Sequence, residues 1–245
     1  MTRFYFNGES CRDYGIYVSG SGTFNAPELD VTSYEIPGRN GDLVISNDRY
    51  KNIEVVYPAF IRSDFRYNSA RARAWLLSPQ GYCRLSDDYH PYEYRLARFK
   101  GPIDFDMRFM NRSGECNLIF DCKPQRYLTS GEQAKIFTAA NTLNNPTLFT
   151  ARPMITVYGT GSGTITIGET TGSLQGISEY VDLDCELQDA YKDTVNCNSM
   201  MTGSFPVLDP GSNAISFTGD ITGLKIIPRW WTLSRNAVLP ASARL

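Results

Sequence analysis

The sequence predicts a mainly β protein in two parts, and three observations carry that expectation. Aromatic residues make up 13% of the chain and glycines number 20, whereas long runs of Ala, Glu, Lys and Leu are absent. Short stretches of alternating apolar and polar residues recur between Gly, Pro, Asn and Asp punctuation. Charge thins out along the chain: residues 1–127 hold 17 Lys/Arg and 16 Asp/Glu, residues 128–245 only 7 and 10. We therefore expect a sandwich-like N-terminal β-domain with one helix over residues 1–130. A linker or joining strand follows over 131–150, and an antiparallel β-sandwich over 151–245.

Residues 4–8 read as a short strand into a turn, and 15–19 as a second strand broken by Gly20 and Gly22. Residues 33–45 organise the first half: two apolar runs flank Pro37, Gly38, Arg39, Asn40, Gly41 and Asp42. Asn40-Gly41 is a hairpin signal because both residues tolerate positive φ. Pro37 cannot donate to a ladder, so it ends the first strand or lies on an edge. A stiff tip would then present Arg39, Asn40 and Asp42 for contact; the plainer alternative is a solvated turn. Residues 52–61 form a longer strand with Pro58 at a bulge or edge.

The one helix is expected over 68–78. Ala70, Ala72 and Ala74 favour it, Trp75, Leu76 and Leu77 give it an apolar end, Asn68 or Ser69 caps it, and Pro79 and Gly81 stop it. Arg66, Arg71 and Arg73 would line its outer face, either to dock a partner or as a solvated surface. Strands follow at 81–85, 92–99, 103–109 and 116–122, the last with Cys116, Leu118, Phe120 and Cys122 inward.

In the second half, 153–158 and 163–168 read as a hairpin around the glycine-rich 159–162. A strand follows that loop where a phosphate cradle would need a helix, so phosphate binding is not expected. Residues 180–187 alternate with Val181, Leu183, Cys185 and Leu187 inward, and strands at 213–217 and 223–233 complete the set.

Net charge is −2, which gives no global attraction for nucleic acid or membrane surfaces. No uncharged run approaches the about 20 residues of a membrane span. The six cysteines form no Cys-x-x-Cys pair and His90 is the only histidine, so zinc is not expected. With no apolar secretion signal at the N-terminus, the thiols should be reduced in a protein made in the cytoplasm. Asp87 and Asp88 beside His90 could serve acid–base or metal chemistry, or cap a turn. Asp182, Asp184 and Glu186 could offer oxygens to calcium, or be ordinary surface charges. Trp230 or Trp231, with Tyr158 or Tyr180, could stack a sugar, but neighbours in a strand point opposite ways, so one tryptophan must be core. No nucleophile elbow, phosphate loop or dinucleotide fingerprint is present; we expect neither an enzyme nor a cofactor.

An ordered set of short motifs carries a resemblance. It runs through Phe-Asn-Gly at 6–8, Asp-Tyr-Gly-Ile at 13–16 and Ile-Pro-Gly-Arg-Asn-Gly-Asp-Leu at 36–43. It continues through 75–77, 81–88, 92–97, Phe-Asp-Cys-Lys-Pro-Gln at 120–125, Asn-Pro at 145–146, 153–159, 205–213 and Leu-Lys-Ile-Ile-Pro-Arg-Trp-Trp at 224–231. The chain resembles the distal tail proteins of siphophage-type bacteriophages, particularly those of Gram-positive hosts. That resemblance implies a structural protein of the virion tail tip or baseplate, assembled in the host cytoplasm. Its N-terminal domain would form a ring, hexameric in the family pattern, joining the tail tube protein to tail-tip proteins around a channel. Its C-terminal domain would be a galectin-like sandwich that holds receptor-binding proteins in some relatives. DNA would pass without sequence-specific binding, and no membrane is involved. On this reading Pro37, Gly38, Arg39, Asn40, Gly41 and Asp42 lie at a subunit interface. The alternative is a carbohydrate-binding module working through Trp230 and Trp231.

Overall fold

The computed structural model describes residues 2–20, 25–108 and 113–233. It is mainly β, and its long strand pairs, such as β6 with β10 and β14 with β15, are antiparallel. The chain forms two compact units, Met1–Arg126 and Tyr127–Leu245.

The first unit holds strands β1 (Phe4–Phe6), β2 (Glu9–Ser10), β3 (Ile16–Val18), β4 (Leu29–Tyr34), β5 (Leu43–Tyr50) and β6 (Ile53–Ile61), then helix α1 (Phe65–Leu77). Strands β7 (Cys83–Asp87), β8 (Glu93–Phe99), β9 (Asp106–Arg108) and β10 (Ser113–Cys122) follow. The main sheet runs β2-β1-β7-β8-β10-β6-β3. Its inner face follows directly from period-two alternation: Ile53, Val55, Tyr57, Ala59 and Ile61 of β6 are buried, as are Leu118, Phe120 and Cys122 of β10. Cys116 is only half-buried. Trp75 ties α1 to this core, stacking on Tyr14 at 4.4 Å and on Phe4 at 5.8 Å.

Pro58 sits within β6 with no bulge against β10. Its carbonyl accepts the Ser19 N–H at 2.8 Å, just past the end of β3. In an antiparallel ladder a residue's nitrogen and carbonyl point the same way. The missing N–H therefore faces a place where the neighbouring strand has run out.

The helix starts three residues before the expected position. Asp64 precedes it in the left-handed region (φ 48°) with no side-chain cap, while Asn68 donates to Ser63 O and Ser69 to Arg66 O from inside the helix. Tertiary anchoring sets the start: Phe65 packs edge-on to Phe105 at 5.3 Å and lies over Gly114, where a Cβ would fall 2.5 Å from its ring. The strand expected over 103–109 shortens to Asp106–Arg108, and Phe109 lies outside the described residues.

The second unit begins within β11 (Arg126–Leu128) and continues through β12 (Lys135–Phe137), β13 (Asn141–Asn145), β14 (Met154–Ile167) and β15 (Thr170–Asp184). Then come β16 (Asp189–Lys192), β17 (Val195–Asn196), β18 (Met201–Gly203), β19 (Gly211–Ile227) and β20 (Trp231–Thr232). Residues 131–150, expected as a linker or joining strand, hold β12 and β13 of this unit's sheet.

The glycine-rich 159–162 is not a hairpin loop. It lies inside β14, a single 14-residue strand, and the reversal comes at Gly168-Glu169. Register shifts at Gly159 and Gly163 bend β14 against β19, itself one 17-residue strand where two were expected. The glycines are needed for close approach: a Cβ on Gly163 would stand 2.4 Å from Thr218 O, and one on Gly159 2.4 Å from Asp220 O. On one side of the bend β19 pairs with β12 and β15 with β16; on the other they pair with β13 and β18. Residues from both sides, including Val157, Val181, Leu224, Ile165, Leu174 and Ile215, share one core. Two buried asparagines fasten the connections. Asn145 donates to Phe149 O and Leu208 O, and Asn213 to Asp209 O and Gly211 O.

Candidate docking surfaces

Strands β4 and β5 pair only with each other among the described residues. Tyr34 lies opposite Leu43, Ser33 opposite Val44 and Thr32 opposite Ile45. Opposed residues share a face, so Tyr34, Leu43 and Ile45 stand on one side and Val31 and Val44 on the other. All five are at least 36% exposed. A lone two-stranded ribbon is marginally stable in water, and this one is apolar on both faces.

Polar chemistry secures its base: Glu28 pairs with Lys51 at 3.1 Å and Asp30 with Arg49 at 2.6 Å. The Arg49 hydrogen bond holds the Asp30 carboxyl below its ordinary range. At the tip, the Arg39 N–H donates to Ile36 O at 3.1 Å with Gly38 at φ 82°, the pattern of a Pro-Gly type II turn. The tight Asn40-Gly41 reversal expected from sequence is not formed. Gly41 alone of that pair has positive φ (81°), and the strands end at Tyr34 and Leu43. Pro37 and Gly38 win because proline presets the first turn position and glycine supplies the second. Residues 35–42 are all exposed, and Glu35, Arg39, Asp42 and Asp48 make no salt bridge among the described residues.

A second surface gathers on α1. Arg66 and Arg73 are exposed on its outer side, as the sequence places them, and Tyr67 and Leu77, the latter expected in the apolar end, are exposed too. Arg71 is half-buried, lying over the rings of Tyr14 at 5.0 Å and Tyr67 at 5.4 Å, and Arg73 lies over Phe105 at 5.5 Å. Beside the helix, Arg12 and Arg62 cover the Tyr17 ring at 4.0 and 4.8 Å. Arg12, Arg62 and Tyr17 had no local sequence signal, because the 3-10 turn Cys11–Tyr14, β3 and the end of β6 bring them together from separate segments. None of these five arginines forms a salt bridge among the described residues; carboxylates lie among them, Asp13 and Asp64 in the chain beside them, Glu9, which accepts the Tyr14 hydroxyl at 2.7 Å, Asp104 and Asp106 flanking Phe105, and Glu115 opposite Phe60.

The other sequence candidates are tied into the fold. Asp87 accepts the His90 N–H at 2.9 Å, meets His90 Nδ1 at 2.9 Å and accepts the Tyr57 hydroxyl at 2.6 Å. Burial pushes the Asp87 carboxyl up, but the His90 and Tyr57 hydrogen bonds outweigh it and hold it below its ordinary value. Asp88 caps the Arg3 N–H at 3.1 Å. Asp182 accepts from Thr156, and Asp184 is engaged by Arg229 and by two backbone N–H groups. Glu186 lies beyond the end of β15, so the three acidic residues do not line one strand face. Leu187, expected inward, is 73% exposed in the same turn. Trp230 is buried in the core; Trp231 stacks on Phe149 at 4.6 Å and donates to Thr150 O at 2.9 Å. Of the two rings offered as the alternative sugar platform, one is therefore core and the other spends a face on phenylalanine. The six cysteines are free thiols, and burial pushes those of Cys116, Cys122 and Cys185 up to about 12. No helix among the described residues is long and apolar enough to cross a membrane.

No family model matches the sequence, and no curated protein matches it. Solved structures do. The SPP1 Dit protein (gp 19.1), described as a paradigm of hub adsorption apparatus in phages infecting Gram-positive bacteria, superposes with a TM-score of 0.72 at 14% identity. The match covers 95% of this chain and 100% of that one. The phage P2 baseplate in its activated conformation, with Ca or with Sr, matches at TM-scores of 0.52 and 0.51, 7% and 8% identity. Each covers 92% of this chain and 97% of the other. Over nearly its whole length, the chain has the fold of a phage distal tail protein.

Proposed function

We propose that the chain is a structural hub at the distal end of a phage tail. Copies assemble into a ring, six in number by analogy, that joins the tail tube to tip or baseplate proteins and leaves a channel for DNA. The second unit, in the position of a galectin-like sandwich, offers the surface for receptor-binding or other baseplate partners. Its place is the virion, and its output is shape and contact rather than catalysis. The full-length likeness to the SPP1 hub protein is the observation that carries this reading.

The β4–β5 ribbon supports it locally. Two exposed apolar faces on a hairpin that pairs with no other strand among the described residues call for cover, and a ring supplies it through head-to-tail contacts. Pro37, Gly38, Arg39, Asn40, Gly41 and Asp42 then lie at the subunit boundary. Negative-stain imaging and light scattering of the purified chain test the reading: rings are expected, with Arg39→Glu reducing the oligomeric mass. A wild-type chain that stays monomeric at every concentration would count against it.

A further inference from the structure

We infer that Asn25 and Asn52 are positioning residues: standing one at each root of the β4–β5 hairpin, they clamp it at a single angle to the main sheet of the first unit. The inference rests on the ring reading above, since it concerns the element which that reading places at the subunit boundary.

No polar contact leaves the hairpin between these two asparagines. Among the described residues, no hydrogen bond or ion pair joins residues 26–51 to a residue outside that stretch. None of residues 26–51 is buried. The internal bonds, Arg49 to Asp30 and Lys51 to Glu28, stiffen the ribbon and leave its direction open.

The direction is set at the two ends. Asn25 donates through Nδ2 to Glu54 O on β6 at 2.8 Å. Its Oδ1 accepts from Arg95 Nη2 at 3.3 Å, and its main-chain oxygen accepts from Arg126 Nη2 at 3.4 Å. Those guanidiniums are fixed supports: Arg95 is 7% and Arg126 4% exposed, and Arg126 also meets Glu93 at 3.2 Å. At the other root, Asn52 Nδ2 donates to the Tyr82 hydroxyl at 2.6 Å and to Asp121 Oδ1 at 3.1 Å, and Asp121 is itself held by Arg98 at 2.8 Å. One root is thus held from β6, β8 and β11, the other from β10 and the residue before β7. A ring closes only if every copy offers its contact at the same rotation. An element already held in its bound orientation also loses less freedom on docking.

The test compares the full chain with Asn25→Ala, Asn52→Ala and both together. Light scattering over a concentration series reads assembly, and far-UV circular dichroism reads folding. Single-molecule energy transfer reads the hairpin angle at picomolar concentration, where copies are apart. Its dyes sit on Arg39→Cys at the tip and Asn117→Cys on β10, both exposed, in a Cys83→Ser and Cys116→Ser background. The double variant is expected to broaden the distance distribution and to need about tenfold more protein for half-assembly, with each single variant in between. Unchanged assembly in a folded double variant rejects the positioning role while the ring stands. An unchanged distance distribution rejects it whatever the assembly. Asn52 is exposed, so Asn52→Ala carries both readouts if Asn25→Ala does not fold. A wild type that stays monomeric removes the ring reading; the distance distribution then decides the clamp alone, broadening upholding it and no change removing it.

Discussion

Asp184 and Arg229, 45 residues apart, meet through two parallel hydrogen bonds, Nη1 to Oδ1 at 2.8 Å and Nη2 to Oδ2 at 3.0 Å. The pair pins the segment after β19 to the end of β15. Burial alone would push the carboxyl up; Arg229 and the Leu187 and Glu186 N–H groups more than offset it and hold it below its ordinary range. A depressed carboxyl stabilises fully above its unfolded pKa, about 3.9, and the contribution is lost as pH falls through the lower folded value. Arg229→Ala should therefore cost about 1–3 kcal/mol at pH 7, with the gap to wild type narrowing below about pH 4. Urea unfolding at the two pH values measures this.

Tyr57 is 4% exposed and donates to Asp87 at 2.6 Å. Tyr57→Phe keeps the ring packing and removes one donor from a carboxylate that His90 also engages. We expect a loss of about 1 kcal/mol, again shrinking in acid as Asp87 protonates. Equal loss at pH 7 and pH 3 would show that the hydroxyl acts through something other than the Asp87 charge.

The bend in β14 makes two glycines unequal. At Gly163 a Cβ meets Thr218 O at 2.4 Å and Ile221 Cγ1 at 2.6 Å, so Gly163→Ala should cost at least about 2 kcal/mol. At Gly211 nothing lies within 4 Å and only the φ of 86° opposes a side chain. Gly211→Ala should cost about 1 kcal/mol. Comparable thermal midpoints for the two variants would contradict the close approach at the bend.

On the hairpin, Val44 is 57% exposed and touches no core. Val44→Asp should leave monomer stability within about 0.5 kcal/mol of wild type while lowering oligomeric mass in light scattering. A large drop in thermal stability without a change of mass would mean that the ribbon is held by its own chain.

Residues 1–127 carry 17 Lys/Arg against 16 Asp/Glu, so on the ring reading we expect a channel wall without a strong positive excess, which lets DNA pass without holding it. The assembled protein should not shift duplex DNA in a gel at 0.15 M salt, a physiological ionic strength. Retention there would point to a basic lumen.

Much of the first unit was legible because its strands bury one face. The inward set of β6, from Ile53 to Ile61, and the Leu118, Phe120 and Cys122 set of β10 read directly as alternation. Illegible features were those set by distant segments. Phe65 starts the helix through Phe105 and Gly114, not through a cap. Glycines 159, 161 and 163 look like a loop in sequence, and only the proximity of β19 makes them a bend within one strand. The docking surface was half legible: Pro37 and Gly38 marked the tip, but Arg12 and Arg62 join Tyr17 only in the folded chain.

The bend carries a final consequence. The same three long strands, β14, β15 and β19, thread both sides of the second unit, so neither side exists without the other. Limited proteolysis should then find no stable half-fragment, and the unit should resist pulling or heating until it gives way all at once. Chain reversals such as Gly168-Glu169, which lie off those shared strands, are where extra sequence could be spliced in without loosening that mutual lock.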